Sequence, residues 1–284
     1  MTRATINFSR RKHLWMIAIL FAALQTAQPA MAELEIQEPE VEAGEVEFEI
    51  ISGWATDRPK GDDLEYLKQS HEAEIELGIN NFLKFELGAE FEEEVEIEDG
   101  EKEPSSLKFS EIELGVQLEL LNVTEHGIGL ALVAGYTAAQ VDEENDSINW
   151  GAIAKLASGP VSLTVNGTFS DPRTDDAEED HVNFGYGAQA KYQINEMVAL
   201  AAEAFGEIDN VYNPVDRDEQ VHQLGPVLYL SWERGEESEG EKGDDAENGE
   251  EEEGLEVTLG LGALFGLTDV TPDTSIKAIL EIEF

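Results

Sequence analysis

Carboxylates at every second position are the most chemically loaded feature of this sequence. Glu72, Glu74 and Glu76 alternate with Ala73, Ile75 and Leu77, Glu86 and Glu90 bracket Leu87 and Ala89, and Glu111 and Glu113 flank Ile112. A period of two places such residues on one face of a β-strand and the apolar residues on the other. A surface lined this way concentrates cations and repels anions. The imbalance is global, with 63 Asp and Glu against 17 Lys and Arg and a formal charge of −46. That charge excludes nucleic-acid backbones as partners.

Covalent chemistry finds little support. There is no Cys, which removes thiolate nucleophiles, disulfides and Cys-based zinc sites. Beyond the leader the histidines are His71, His126, His181 and His222, with no H-x-x-x-H pair, and Ser70-His71 is mere adjacency, since neighbours on a strand face opposite ways. Walker loops and dinucleotide fingerprints are missing. The acidic runs Asp142 to Asp146 and Asp171 to Asp180 do not match calcium-loop spacing, although loose divalent bridging to lipopolysaccharide suits them. Four Met and few His do not suit a copper-handling protein. The expectation is a non-enzyme with no catalytic residue, no metal site and no cofactor.

The elements that hold these side chains follow from the pattern. Arg10, Arg11 and Lys12, the apolar run from Leu14 to Leu24 and Ala30-Met31-Ala32 read as a secretory signal peptide, residues 1–32, cleaved before Glu33. Residues 33–44 then form a periplasmic N-terminal lead. From 45 to 284 period-two alternation recurs about twelve times, with strands such as Ile112 to Leu120, Ile148 to Leu156 and Val198 to Ile208. Short turns at Asn80-Asn81, Leu121 to Gly127, Ser158 to Pro160 and Ile194 to Met197 alternate with longer polar loops. One connection breaks that rule: residues 233–254 hold 12 acidic residues and 5 Gly, a composition expected to stay disordered.

Alternation fits a soluble sandwich as well as a membrane barrel, and three features favour the barrel. Its apolar face carries many Ala, including Ala152, Ala154, Ala188, Ala190, Ala202 and Ala204, which underfill a dry core but suit fluid lipid. Aromatics, among them Trp54, Tyr136, Trp150, Phe169, Tyr192, Tyr229 and Trp232, sit near strand ends as in interfacial girdles. The last strand, Ile276, Ala278, Leu280 and Ile282, closes on Phe284. The expected fold is therefore all-β: a transmembrane antiparallel up-and-down β-barrel of about 12 strands.

That terminus resembles the signal by which bacterial outer-membrane barrels are read by their assembly machinery, which the resemblance implies as a partner through Phe284. The segments His222 to Tyr229 and Leu264 to Thr274 are similar to the transporter-like outer-membrane group of the phenol-degradation (MetA) pathway. This resemblance implies a Gram-negative outer membrane, lipid and lipopolysaccharide as surroundings, and transport of small solutes.

If the apolar face meets lipid, the other face lines the lumen. Outward carboxylates would each cost about a kcal/mol or more, so the register is well determined. The lumen-lining set is Glu74, Glu76, Lys84, Glu86, Glu90, Glu111, Glu113, Lys191, Glu203, Lys277 and Glu281. The expected function is a channel or transporter for passive passage of small solutes, cation-preferring through its acidic lumen. Two alternatives stand beside it: a closed structural or anchoring barrel plugged by its own Glu-Lys ladder, and a pathway for small hydrophobic or aromatic compounds.

Overall fold

The computed structural model describes residues 34–284 except 58, 60–63, 99–100, 103–104, 142–144, 174–180 and 235–254. The leader, parts of both acidic loops and nearly all of the 233–254 insertion lie outside the described residues.

Twelve strands carry the fold: β1 (Val46–Ala55), β2 (Leu64–Asn80), β3 (Leu83–Glu98), β4 (Lys108–Leu121), β5 (Ile128–Ala139), β6 (Ser147–Ser158), β7 (Val161–Pro172), β8 (Asn183–Asn195), β9 (Val198–Ile208), β10 (Val221–Arg234), β11 (Leu255–Gly266) and β12 (Thr274–Glu283). A two-residue strand, Glu101–Lys102, folds back on the end of β3. Each strand pairs antiparallel with its sequence neighbours. β1 also pairs with β12, from Glu47↔Glu283 to Ala55↔Ser275, so the sheet closes. Closure satisfies every strand's ladder groups within the sheet, which is what permits strands to cross hydrocarbon.

The closed wall is apolar outside and polar inside. Ile75, Leu114 and Leu261 are 49%, 55% and 61% exposed, whereas Gln117, Thr164, Glu203 and Lys277 are fully buried. A soluble protein shows the reverse, and lipid is the solvent that makes this arrangement stable. Rings line the outer face near the loop-bearing end, where Trp150 stacks on Phe169 and Phe169 meets Phe184 at 4.9 Å. Tyr229 does not belong to this girdle: it is inward, buried at 7% exposure, with its hydroxyl on Glu203.

Alternation marks the membrane-facing part of the strands and understates their length. β2 begins at Leu64, inside the stretch Ala55 to Lys68 expected as a polar loop, and its register on β3 shifts between Leu67 and Gln69. Such a bulge reverses the inward and outward positions, which erases a period-two pattern. Beyond it Tyr66, Val95 and Ile97 form a small buried cluster.

The N-terminal lead is also placed differently. Residues 34–44 of the lead expected on the periplasmic side run through the barrel's interior from the loop-bearing end to the end with the short turns. Leu34 packs on Ile51, Leu67, Phe205, Val221 and Leu264 near the loops. Gly44 N–H donates to the Gly78 carbonyl at the β2–β3 turn. Composition could not show this, because an acidic, Pro-bearing lead reads as solvated chain when its partners are scattered over five strands.

Candidate functional site: the barrel lumen

Two sectors of wall enclose the lumen, and the strand alternation builds both. On β9, β12 and β1 to β3 the inward positions are rich in carboxylates. Glu74, Glu76, Lys84 and Glu86 are all buried there. Lys84 Nζ donates to Glu76 Oε2 at 2.6 Å and lies 3.8 Å from Glu86 Oε1. Register explains the grouping, since Glu76↔Glu86 and Gly78↔Lys84 face one another across the β2–β3 hairpin. Glu35, Glu74 and Glu76 bring one oxygen each within 4.8 Å of one another. Lys84 already supplies a cation on Glu76, so this grouping requires no metal.

Deeper in the same sector the interior is dry. Lys277 Nζ donates to Glu203 Oε2 at 2.7 Å, Gln189 Nε2 donates to Glu203 Oε1 at 2.8 Å, and the Tyr229 hydroxyl donates to that same oxygen. Lys277 Nζ also sits 4.7 Å from the centre of the Phe205 ring. Glu203 and Lys277 are fully buried, so the carboxylate is held by protein donors in place of water. This part of the wall is a structural network in which both oxygens of Glu203 are held, while Gln189 Oε1 has no partner.

The remaining residues of the expected set also face inward. Glu90, Glu111 and Glu113 line one recess together with Glu72. Glu281 stands opposite Glu49 across the β1–β12 seam. Lys191 Nζ lies 5.2 Å from the centre of the Tyr229 ring.

The second sector, β5 to β8, has no inward carboxylate. Its inward residues are small or neutral, such as Gly129, Ala131, Asn149, Ile153, Thr164, Asn166 and Gln189, and its charges are Lys155 and Lys191. Residues 37–41 lie on this sector and on β4 beside it, whereas Glu35, Glu42 and Gly44 meet β2 on the acidic side. Gln37 N–H donates to Asn166 Oδ1 at 2.9 Å, and Asn166 Nδ2 donates back to the Gln37 carbonyl at 2.8 Å. Gln117 Nε2 donates to the Glu38 carbonyl at 3.1 Å, and Val41 N–H donates to Glu119 Oε2 at 3.0 Å. Lys155 Nζ is bonded to Glu38 and lies 2.8 Å from Glu40 Oε1, while Lys191 Nζ is 3.7 Å from Glu38 Oε1. Pro39 and Val41 are buried.

Glycines make the seat. A Cβ on Gly129 would stand 2.6 Å from Pro39 Cγ, and one on Gly78 would fall on the Glu42 carbonyl. Such distances leave room for hydrogen only, so the chain and the wall touch directly.

Lys155, Asn166, Gln117 and Glu119 were not all seen from sequence as one set. Lys155 was legible, since it continues the inward series Asn149, Gly151 and Ile153 on β6. The segment that joins them carries no periodic signal.

A Ser–His pair does form, away from the lumen. Ser52 and His71 are cross-strand partners with their side chains on the outer face, and Ser52 Oγ lies 2.9 Å from His71 Nδ1. His71 Nε2 is 3.3 Å from Gln69 Oε1, and Trp54 packs edge-on against the imidazole. Ser52 and Gly53 are paired on both sides, to β2 and to β12, so their backbone N–H groups belong to ladders and are not free to hold an oxyanion. The pair is an interfacial hydrogen bond.

Comparison with known proteins places the architecture. No family model matches the chain, and no curated protein matches it either. Among solved structures it is similar to the COG4313 outer membrane channel from Pseudomonas putida F1, with a TM-score of 0.57 and 12% identity over 88% of this chain and 99% of that one. It is also similar, more distantly, to the NanC porin, with a TM-score of 0.47 and 8% identity over 84% of this chain and 98% of that one. The KdgM porin gives 0.45 and 6% over the same shares. At these identities the likeness is one of fold: the chain is a twelve-stranded barrel of the outer-membrane kind.

Proposed function

We propose that this protein is an outer-membrane channel for small solutes in a Gram-negative bacterium, with a preference for cations. One observation carries the reading: the inward wall of β12 and β1 to β3 presents Glu47, Glu49, Glu74, Glu76, Glu86, Glu281 and Glu283 against only Lys84 and Lys277. Fixed carboxylates in a low-dielectric tube raise the local concentration of cations and exclude anions. Transport here needs no covalent step, only a hydrated path beside these groups.

The test is planar-bilayer current under a KCl gradient. Discrete steps with a potassium-favouring reversal potential support the reading, and Glu86→Lys with Glu113→Lys is expected to move that potential towards zero. An unchanged potential in the variant removes both residues from the path.

A closed barrel is the second reading, and a specific observation favours it. Residues 34–44 occupy the lumen from end to end, and Glu203 and Lys277 are fully buried.

A further inference from the structure

We propose that Ser52 is an acyl-accepting serine on the lipid-facing wall: His71 activates it, and it takes the acyl chain of a lipid ester at the loop-end membrane interface. This reaction belongs to the outer face and needs no conducting lumen.

The hydrogen bond between Ser52 and His71 is the last link of a longer relay. Gln69 Nε2 donates to Glu93 Oε2 at 2.6 Å, which turns Gln69 Oε1 towards the imidazole. That oxygen can only accept, so His71 Nε2 carries the ring proton and Nδ1 is left to accept from Ser52 Oγ at 2.9 Å. Glu93 is buried and fixed in turn, since Lys68 Nζ reaches both its oxygens at 3.0 Å and Ser105 Oγ donates to Oε1 at 2.8 Å. A bulge makes this possible: Lys68 is the extra residue between Leu67↔Glu94 and Gln69↔Glu93, so Lys68 and Gln69 both meet one carboxylate. A nucleophile, a base and a group that orients the base are the parts that activate a serine. Gln69 and Glu93 are positioning residues in this arrangement.

Strand register sets the height of the relay. Ser52, His71, Phe91 and Phe109 form one outward row across β1 to β4. The row below it is Ile50, Ala73, Ala89 and Ile112, all apolar, and the row on the loop side is Trp54, Gln69 and Glu93. Ser52 thus stands where the wall passes from hydrocarbon to headgroups, the level at which esters join acyl chains to lipids.

The step balances without a further reactant. Ser52 Oγ attacks the ester carbonyl carbon, and its proton passes to His71 Nδ1. The same proton leaves with the lipid alkoxide as the C–O bond to the lipid alcohol breaks, giving acyl-Ser52 and that alcohol, with nothing oxidised or reduced. Because the ladders hold the backbone N–H groups, the tetrahedral oxygen falls to the Trp54 indole N–H. Trp54 packs beside His71, and its indole N–H has no hydrogen-bond partner among the described residues. A single donor suits one slow acylation and not rapid turnover. Ser52 is only 9% exposed, and the acquired chain lies on the apolar row below it, where water is excluded and the ester persists.

The full chain is refolded into vesicles of ether-linked lipid, which offer no ester, and checked for heat-modifiable mobility. A fluorophosphonate probe is expected to label Ser52 about 100-fold faster than in His71→Asn, with Ser52→Ala unlabelled. Gln69→Leu is expected to lower the maximal labelling rate about tenfold at unchanged probe affinity, the equivalent of one hydrogen bond. Imidazole added to His71→Gly is expected to restore labelling. In vesicles of ester phospholipid, or of ether lipid carrying lipopolysaccharide, the peptide with Ser52 is expected to gain the mass of a fatty acyl group, and the arm that gives it identifies the donor. Folded wild type labelled no faster than His71→Asn overturns the activation. Absence of an acyl mass from both ester-bearing vesicles, a comparison that uses wild type alone, overturns the acyl acceptor, as does the same mass on Ser52→Ala.

Discussion

Replacing Lys277 by Met separates a dry structural network from a hydrated path. Glu203 accepts from Lys277 at 2.7 Å, from Gln189 at 2.8 Å and from Tyr229, and both ends of the ion pair are fully buried. Lys277→Met keeps the length and removes the charge, leaving the carboxylate with two neutral donors. The lost charge-assisted bond is worth about 1.5–3 kcal/mol. The contact of the ammonium with the Phe205 ring, at 4.7 Å, adds about 0.5–2 kcal/mol. Together these reach the roughly 3–5 kcal/mol that follows when one partner of a buried pair is removed. Pairing the change with Glu203→Gln removes the stranded charge as well, and the double variant is expected within about 1 kcal/mol of wild type. The assay is equilibrium unfolding by guanidinium of protein refolded into lipid vesicles, followed by tryptophan fluorescence. Lys277→Met within about 0.5 kcal/mol of wild type would refute the reasoning. It would mean that water reaches Glu203, and that this residue belongs to the path.

Two further outcomes test the frame itself. Leu114, 55% exposed at the middle of β4, faces lipid; Leu114→Lys is expected to cost about 2–4 kcal/mol, and Ile148→Lys near the loop-end interface about 0–1 kcal/mol, in the same vesicle unfolding. Gly225 approaches β11 so closely that a Cβ would fall on the Ala263 carbonyl, where β10 also carries Pro226 and its pairing with β11 skips from Leu224 to Val227. Gly225→Ala is expected to cost about 1–3 kcal/mol, while Gly185→Ala, with nothing within 4 Å of the added carbon, is expected to be close to neutral. Equal stability of the two variants would show that β10 and β11 relax apart freely.

Sequence alone determined which solvent each face of the wall meets. Period-two alternation is local, and in Ile75, Leu77, Glu74 and Glu76 the two faces are so unlike that a one-residue slip would put carboxylates into hydrocarbon. Register, strand number and the inward set from Glu74 to Glu281 were legible for that reason. The alternation faded where a bulge reversed it, at Leu67 in β2, and strand ends were lost there.

Tertiary structure decided what fills the lumen. Residues 34–45 have no period, and their partners Gln117, Gly129, Lys155, Asn166 and Lys191 lie on five different strands, each unremarkable by itself. Only closure of β1 on β12 brings those strands round one axis, and only then do two lysines and a row of small residues become a seat. An inward carboxylate was readable from its neighbours in the chain, but whether water or a segment of the same chain stands against it depends on contacts between residues 78 to 153 positions apart.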